Sequence, residues 1–171
     1  MVEMARENEI VESLRAKLGK DLIEAKLQKP RRVFVTVTSS ALPSTVQFLR
    51  DSHDMKHVST ITGVDQGTEI GVYFHLMGAR QNADSREIVL SLKATTPKTD
   101  PRLPSITATI PGAVLYEREV HDMFGVIFEG HPDLSPLIVP DGWPASLYPL
   151  RKECTIDFIK GEISKVQGGA K

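Results

Sequence analysis

The sequence predicts an α+β fold: a single small mixed sheet with helices packed on it, followed by a motif helix and an extended proline-rich C-terminal segment. Three observations carry this. Val33-Phe34-Val35-Thr36-Val37 is a β-branched and aromatic run suited to a pleated surface. Three more strand-like runs follow as a meander at 57–62, 70–77 and 87–94, separated by turn-forming residues. Helical periodicity precedes and interrupts them. With 171 residues the chain suits one ordinary domain. It divides into an α+β part at 1–96, a motif helix with an extended segment at 97–153, and a tail at 154–171.

Taken in order, Ala5 to Leu18 is a helix, because Ile10, Val11, Leu14 and Leu18 share one face and Gly19 is placed as a stop. Leu22 to Leu27 is a short strand, and Lys29-Pro30 turns the chain into the run at 33–37. Ser39 or Ser40 can cap a second helix reaching Asp51, with Pro43 in its first turn and Val46, Phe48 and Leu49 on its buried side. Gly63-Val64-Asp65-Gln66-Gly67 and Gln81-Asn82-Ala83-Asp84 provide the turns of the meander. After Thr96, Pro97, Pro101 and Pro104 mark a loop, a short helical region starts at Ser105, and Ala113 to Phe124 forms a helix stopped by Gly125. Pro132, Pro136, Pro140, Pro144 and Pro149 then exclude a long helix or a central strand. The segment nonetheless carries Phe128, Leu134, Leu137, Ile138, Val139, Trp143 and Tyr148, too apolar for a disordered linker. Such a strap must lie against its own domain or against another protein. A truncation before Phe128 is expected to leave a folded domain.

Composition removes several function classes. Twenty-one basic against 22 acidic residues leave a net charge of -1, which argues against nucleic-acid binding. Cys154 is alone, so no intramolecular disulfide forms, and neither an iron–sulfur cluster nor a cysteine-rich zinc site has its ligands. The most apolar run, Ile70 to Ala79, falls short of the ~18 residues of a spanning helix. Glu3, Glu7 and Glu9 stand where a signal peptide needs a basic start. Any membrane association is expected to come through partners. The glycines at 63, 67, 71 and 78 form no phosphate-binding pattern.

The most informative stretch is Tyr116-Glu117-Arg118-Glu119-Val120-His121-Asp122-Met123-Phe124-Gly125, followed by Phe128-Glu129-Gly130-His131-Pro132-Asp133-Leu134. Pro140-Asp141-Gly142-Trp143-Pro144 and Pro149-Leu150-Arg151-Lys152 come next. On spacing alone, Arg118 with Asp122 and Glu117 with His121 can pair at i,i+4, and an exposed helix carrying ordinary pairs accounts for them.

The order E-R-E-x-x-D-M-F-G, F-x-G-H-P-D-L, P-D-G-W-P and P-L-R-K resembles the signature of the 30-kilodalton-type subunit of respiratory complex I. Its relatives include subunits of membrane-bound nickel–iron hydrogenases, formate hydrogenlyases and archaeal sulfur-reducing complexes. Thr60 to Asp65, Tyr73 to Leu76 and Leu103 to Ile106 extend the resemblance upstream, so it spans about Arg32 to Lys152. It implies a structural docking subunit of the cytoplasmic arm, peripheral to the membrane, in an ion-translocating oxidoreductase. The implied partners are the large hydrogenase-like catalytic subunit and the small cluster-bearing subunit. Iron–sulfur clusters then lie in those partners, a nickel–iron site there being an open alternative, with no cofactor in this chain. Phe124, Phe128, Leu137, Trp143 and Tyr148 become apolar anchors of the interface. Glu117, Arg118, Glu119, Asp122, His131, Asp133, Arg151 and Lys152 become the polar groups that set its register.

His121 departs from the aromatic that many family members carry, and the short tail after Glu153 lacks the longer end typical of bacterial and mitochondrial complex I. That shortness leans toward an archaeal-type hydrogenase or sulfur-reducing relative, with an NADH- or deazaflavin-linked quinone-type enzyme as the alternative. A reading of another class makes Glu117, His121 and His131, with Asp133, the ligands of a metal hydrolase, although their spacing matches no common catalytic zinc motif. A free-standing scaffold shares the docking physics and differs only in partner.

Overall fold

The computed structural model describes residues 4–78 and 87–168. Helix α1 (Ala5–Leu18) buries Ile10, Val11 and Leu14 and ends at Gly19. A 3-10 turn (Gly19–Asp21) leads into strand β1 (Leu22–Lys29), which hairpins to β2 (Arg32–Val37). Arg31 at the hairpin tip has φ 63°, an uncommon conformation for a residue with a side chain. The buried Glu7 carboxylate accepts its N–H at 2.7 Å and ties α1 to that tip.

Helix α2 (Leu42–His53) follows a 3-10 turn (Ser39–Ala41) rather than a serine cap. The cap expectation fails because Thr38 turns to Asp21, while Ser44 and Thr45 both donate to the Ala41 carbonyl. Pro43 does sit in the first turn, and Leu42, Val46 and Leu49 are fully buried while Phe48 is half-buried.

Strands β3 (His57–Asp65), β4 (Glu69–Gly78) and β5 (Ile88–Pro97) run longer than their apolar runs indicate. Gly63, Val64 and Asp65 belong to β3 rather than to a turn, since each pairs with a β4 residue, Val72, Gly71 and Ile70 respectively. The turn placed at 81–84 lies outside the described residues. The sheet order is β1-β2-β5-β4-β3, parallel only between β2 and β5, so the expected mixed sheet is present. Period-two alternation sends Ile70, Val72, Phe74 and Leu76 of β4, and Ile88, Leu90, Leu92 and Ala94 of β5, into the core. Phe34, Tyr73, His75 and Lys93 stand half-exposed on the opposite face.

Beyond the main sheet, a second, two-stranded sheet was not legible in the sequence: β6 (Arg102–Pro104) pairs in parallel with β7 (Ile127–Glu129). The helical region expected from Ser105 is only a turn, in which Thr109 and Ile110 both bond the Ile106 carbonyl before Pro111. A 3-10 turn (Pro111–Ala113) then opens α3 (Val114–Phe124). Within the tail after Glu153, the chain forms α4 (Ile156–Gly168). One buried apolar cluster runs from Ile10 to Phe128 and includes Val120 and Phe124 of α3. Helix α3 packs on β3, where Gly63 leaves room for the Phe124 ring; a Cβ at 63 would collide with it.

Candidate docking site on the motif helix and proline strap

Helix α3 holds four acid or base side chains, Glu117, Arg118, His121 and Asp122, that reach into neighbouring chain rather than to one another. Glu117 has no exposed surface; its carboxylate accepts from the Ile106 N–H at 2.8 Å and the Ser105 hydroxyl at 2.7 Å. Burial pushes its pKa up to about 7, outweighing those two hydrogen bonds, which act in the opposite sense. Arg118 donates Nε to the Ser135 carbonyl at 2.9 Å, and Nη2 to the Ser135 hydroxyl and the Pro136 carbonyl. Asp122 Oδ2 accepts the N–H groups of Leu137 at 2.8 Å, Ile138 at 2.7 Å and Val139 at 3.4 Å. Arg118 thus takes strap carbonyls and Asp122 takes strap amides. The i,i+4 pairs expected for Arg118–Asp122 and Glu117–His121 do not form, because unpaired backbone groups nearby bind these side chains instead.

The remaining motif residues extend the same clasp. His121 Nδ1 donates to the Val126 carbonyl at 2.9 Å. His131 bridges two segments, Nε2 to the Val114 carbonyl at 3.0 Å and Nδ1 to the Asp133 N–H at 3.0 Å. Asp133 receives the Ser135 N–H and hydroxyl, which hold its carboxyl below the usual range. Trp143 closes a turn through Nε1 to the Leu147 carbonyl at 2.8 Å, and Leu147 is itself buried. Gly125 caps α3 with φ 75°, and its bare Cα lets the Tyr148 ring pack directly on the backbone. Arg151 lies 4.4 Å over the Tyr148 ring centre and donates Nε to the Phe124 carbonyl at 2.8 Å. Phe124 and Phe128 are core residues, 6% and 1% exposed.

Sequence reasoning missed the anchor at the far end of the strap. Asp65, at the end of β3, accepts the Lys152 N–H at 2.9 Å, the Gly67 N–H at 2.8 Å and the Lys98 ammonium at 2.6 Å. Lys98 also reaches Glu153. Burial raises the Asp65 pKa, but the ammonium and the two amides prevail and hold it at about 2. Asp65-Gln66-Gly67 carries a turn signal that could have suggested a local hydrogen bond; nothing in the sequence ties it to Lys152.

Several large apolar side chains stay outside. Leu115 of α3 and Leu137, Ile138 and Leu150 of the strap are exposed, beside the exposed Glu119. Glu117, His121, His131 and Asp133 do not converge, and among the described residues no group of three or more histidine, cysteine or acidic residues is placed to hold a metal. No helix among the described residues is long and apolar enough to cross a membrane.

The chain is thus a mixed-sheet module with a core-anchored motif helix and a strap fastened at both ends. The chain belongs to the family of the 30 Kd subunit of respiratory-chain NADH dehydrogenase, whose family model matches residues 35–158. It is 31% identical over 146 residues to the C-type subunit of the F(420)H(2) dehydrogenase of Methanosarcina mazei, covering 84% of this chain and 89% of that one. Hydrogenase-4 component G of Escherichia coli is 35% identical over 147 residues, spanning 84% of this chain and 26% of that longer protein. Among solved structures, a chain of the membrane-bound sulfane sulfur reductase, an archaeal respiratory membrane complex, superposes with a TM-score of 0.76 at 26% identity, covering 92% and 91% of the two chains.

Proposed function

We propose that this chain is a cofactor-free docking subunit in the cytoplasmic, membrane-peripheral arm of a complex I-like oxidoreductase. In this reading α3 and the strap pack against a large hydrogenase-like catalytic subunit, near a small subunit that carries iron–sulfur clusters. The observation that carries it is a strap whose backbone is fixed while Leu137, Ile138 and Leu150 face out. Asp122 and Arg118 hold residues 135–139 in place, yet Leu137 and Ile138 remain 38% and 57% exposed. Of the eight exposed large apolar side chains among the described residues, four lie on α3 or the strap: Leu115, Leu137, Ile138 and Leu150. Fixing the strap beforehand lowers the ordering cost of association.

The relatives named above include subunits of an F(420)H(2) dehydrogenase, of hydrogenase-4 and of a sulfane sulfur reductase; within that range an archaeal-type hydrogenase or sulfur-reducing complex is the reading taken, with an NADH- or deazaflavin-linked quinone-type enzyme as the alternative. Purification of the tagged chain from native membranes, with mass spectrometry of co-purifying proteins, tests the whole reading. A cluster-bearing subunit and a hydrogenase-like large subunit are expected with the wild type. Leu137→Asp with Ile138→Asp should reduce their recovery about tenfold or more, since two buried apolar anchors are each worth ~1.5–3 kcal/mol. Full recovery of both subunits with the double variant contradicts the strap as the contact surface.

A further inference from the structure

Helix α1 carries a polar stripe toward α2, made of Arg6, Glu9 and Ser13 at i, i+3 and i+7. Against it stands His53, the last residue of α2 and only 4% exposed. Its Nε2 lies 2.7 Å from the Ser13 hydroxyl, whose own proton goes to the Ile10 carbonyl at 2.8 Å. The ring therefore donates from Nε2 and keeps a lone pair on Nδ1. That nitrogen is buried with no hydrogen-bond partner among the described residues, and so is Nε of Arg6. Phe48 meets the imidazole in a T-shaped contact, ring centres 5.5 Å apart.

A neutral ring is tolerated in this place and a charged one is not. Protonation at Nδ1 buries a second N–H without an acceptor, near an arginine whose charge already acts on the ring. Burial holds the His53 pKa below the ordinary 6.5, the Arg6 charge adds to that, and the Glu9 carboxylate opposes it. Glu9 is itself engaged by Arg6 in an ion pair at 2.5 Å. On the α2 side, Arg50 lines a cleft with Lys56 and His57, and the Asp54 side chain is 68% exposed and paired with Lys56. Once α1 moves away, the same ring is an ordinary solvated histidine.

We propose that His53 is a proton-sensitive latch on α1: the neutral ring holds the helix to α2, and the protonated ring loosens it. The inference is independent of the docking reading. The docked ring takes up protons less readily than the released one, so docking is strongest above pH 6.5 and weakens as pH falls below it. With the ring neutral while docked and titrating at 6.5 once released, the open population rises by up to about tenfold between pH 7.5 and pH 5.5. Ile10, Val11 and Leu14 remain core residues, which keeps the open state a minor one, visible in exchange rather than as unfolding. The loosening reaches the β1–β2 hairpin, because Glu7 of α1 holds the Arg31 N–H at its tip.

Hydrogen exchange of the full-length chain at pH 7.5 and pH 5.5, corrected for the intrinsic pH dependence of amide exchange, tests the latch. Protection of the α1 amides and of the Arg31 N–H should fall severalfold at the lower pH in the wild type. It should stay level in His53→Gln, whose side-chain amide still donates to Ser13 but does not titrate. Glu117, with its pKa of about 7, is present in both proteins, so the difference between them isolates His53. Equal pH dependence in the two proteins overturns the latch. A loss of protection shared equally by β4 and β5 also overturns it, since that is global unfolding. Should the Gln variant fail to fold, the ring resonances of His53 in the wild type decide. Titration well below pH 6.5 supports the latch, and titration at or above 6.5 overturns it.

Discussion

Glu117 is the residue whose environment departs furthest from its chemistry. It sits in the apolar layer under α3 with two neutral donors, and no charged group contributes to its shifted pKa. Its folded pKa of about 7 exceeds the ordinary 4.5, so the native state holds a proton that the unfolded chain has released between those values. Stability from this group is therefore fully present below about pH 4.5, declines as pH rises, and is lost above about pH 7. The size over that window is about 3 kcal/mol. In the protonated form Oε2 can donate to Ser105 Oγ, which passes its own proton to Thr107 Oγ1 at 2.7 Å. Glu117→Gln keeps an acceptor for Ile106 and a donor for Ser105. Urea titrations at pH 5 and pH 8 should show the wild type losing stability at the higher pH and the Gln variant losing about 2 kcal/mol less. Parallel pH dependence in the two proteins contradicts this account.

At the scale of elements, the parts that read clearly from sequence were those whose apolar period decides their burial. The strands at 33–37 and 70–77 and helices α1 and α3 appear where the pattern placed them, because one face of each enters the core. The parts that did not read were set by contacts remote in sequence. Strand β6 has only three residues and exists through pairing with β7, 25 positions on at Arg102–Ile127. Helix α4 carried a usable signal in Ile156, Ile159 and Ile163 at i, i+3 and i+7, masked by its low contact with the core. Spacing brought out the motif charges of α3 but not their targets, since i,i+4 geometry cannot reveal that strap amides 15 to 17 residues away compete for Asp122. Asp122→Ala should therefore free the strap without unfolding α3. Hydrogen exchange at the amides of 137–139 should accelerate at least about tenfold, reflecting loss of charge-assisted bonds worth ~1.5–3 kcal/mol. Unchanged protection there contradicts Asp122 as the strap anchor.

For the molecule as a whole, the question is which parts of the C-terminal third belong to the fold and which serve something outside it. Sequence alone makes residue 128 a safe place to cut, on the view that the strap belongs to a partner. The packing says otherwise. Phe128 is 1% exposed inside the same cluster as Ile10 and Phe74, and loss of such a ring costs ~3–5 kcal/mol. Removing 128–171 also deprives Asp65 of the Lys152 amide and β6 of most of its partner strand. With native domains stable by only ~5–15 kcal/mol, that cut should leave a protein that is largely unfolded or aggregated. A cut after Glu153 removes α4 and its short flanks; Ile156 and Phe158 of α4 are 71% and 49% exposed, and none of the described side chains it removes belongs to the buried cluster. This shorter protein should melt within about 2–4 °C of the full chain, a shift no larger than ~1 kcal/mol produces in a chain of this size. Circular dichroism melts of the two truncations decide the matter: equal stability for both would mean that the strap and β7 contribute little to the core, and the fold boundary would return to residue 128.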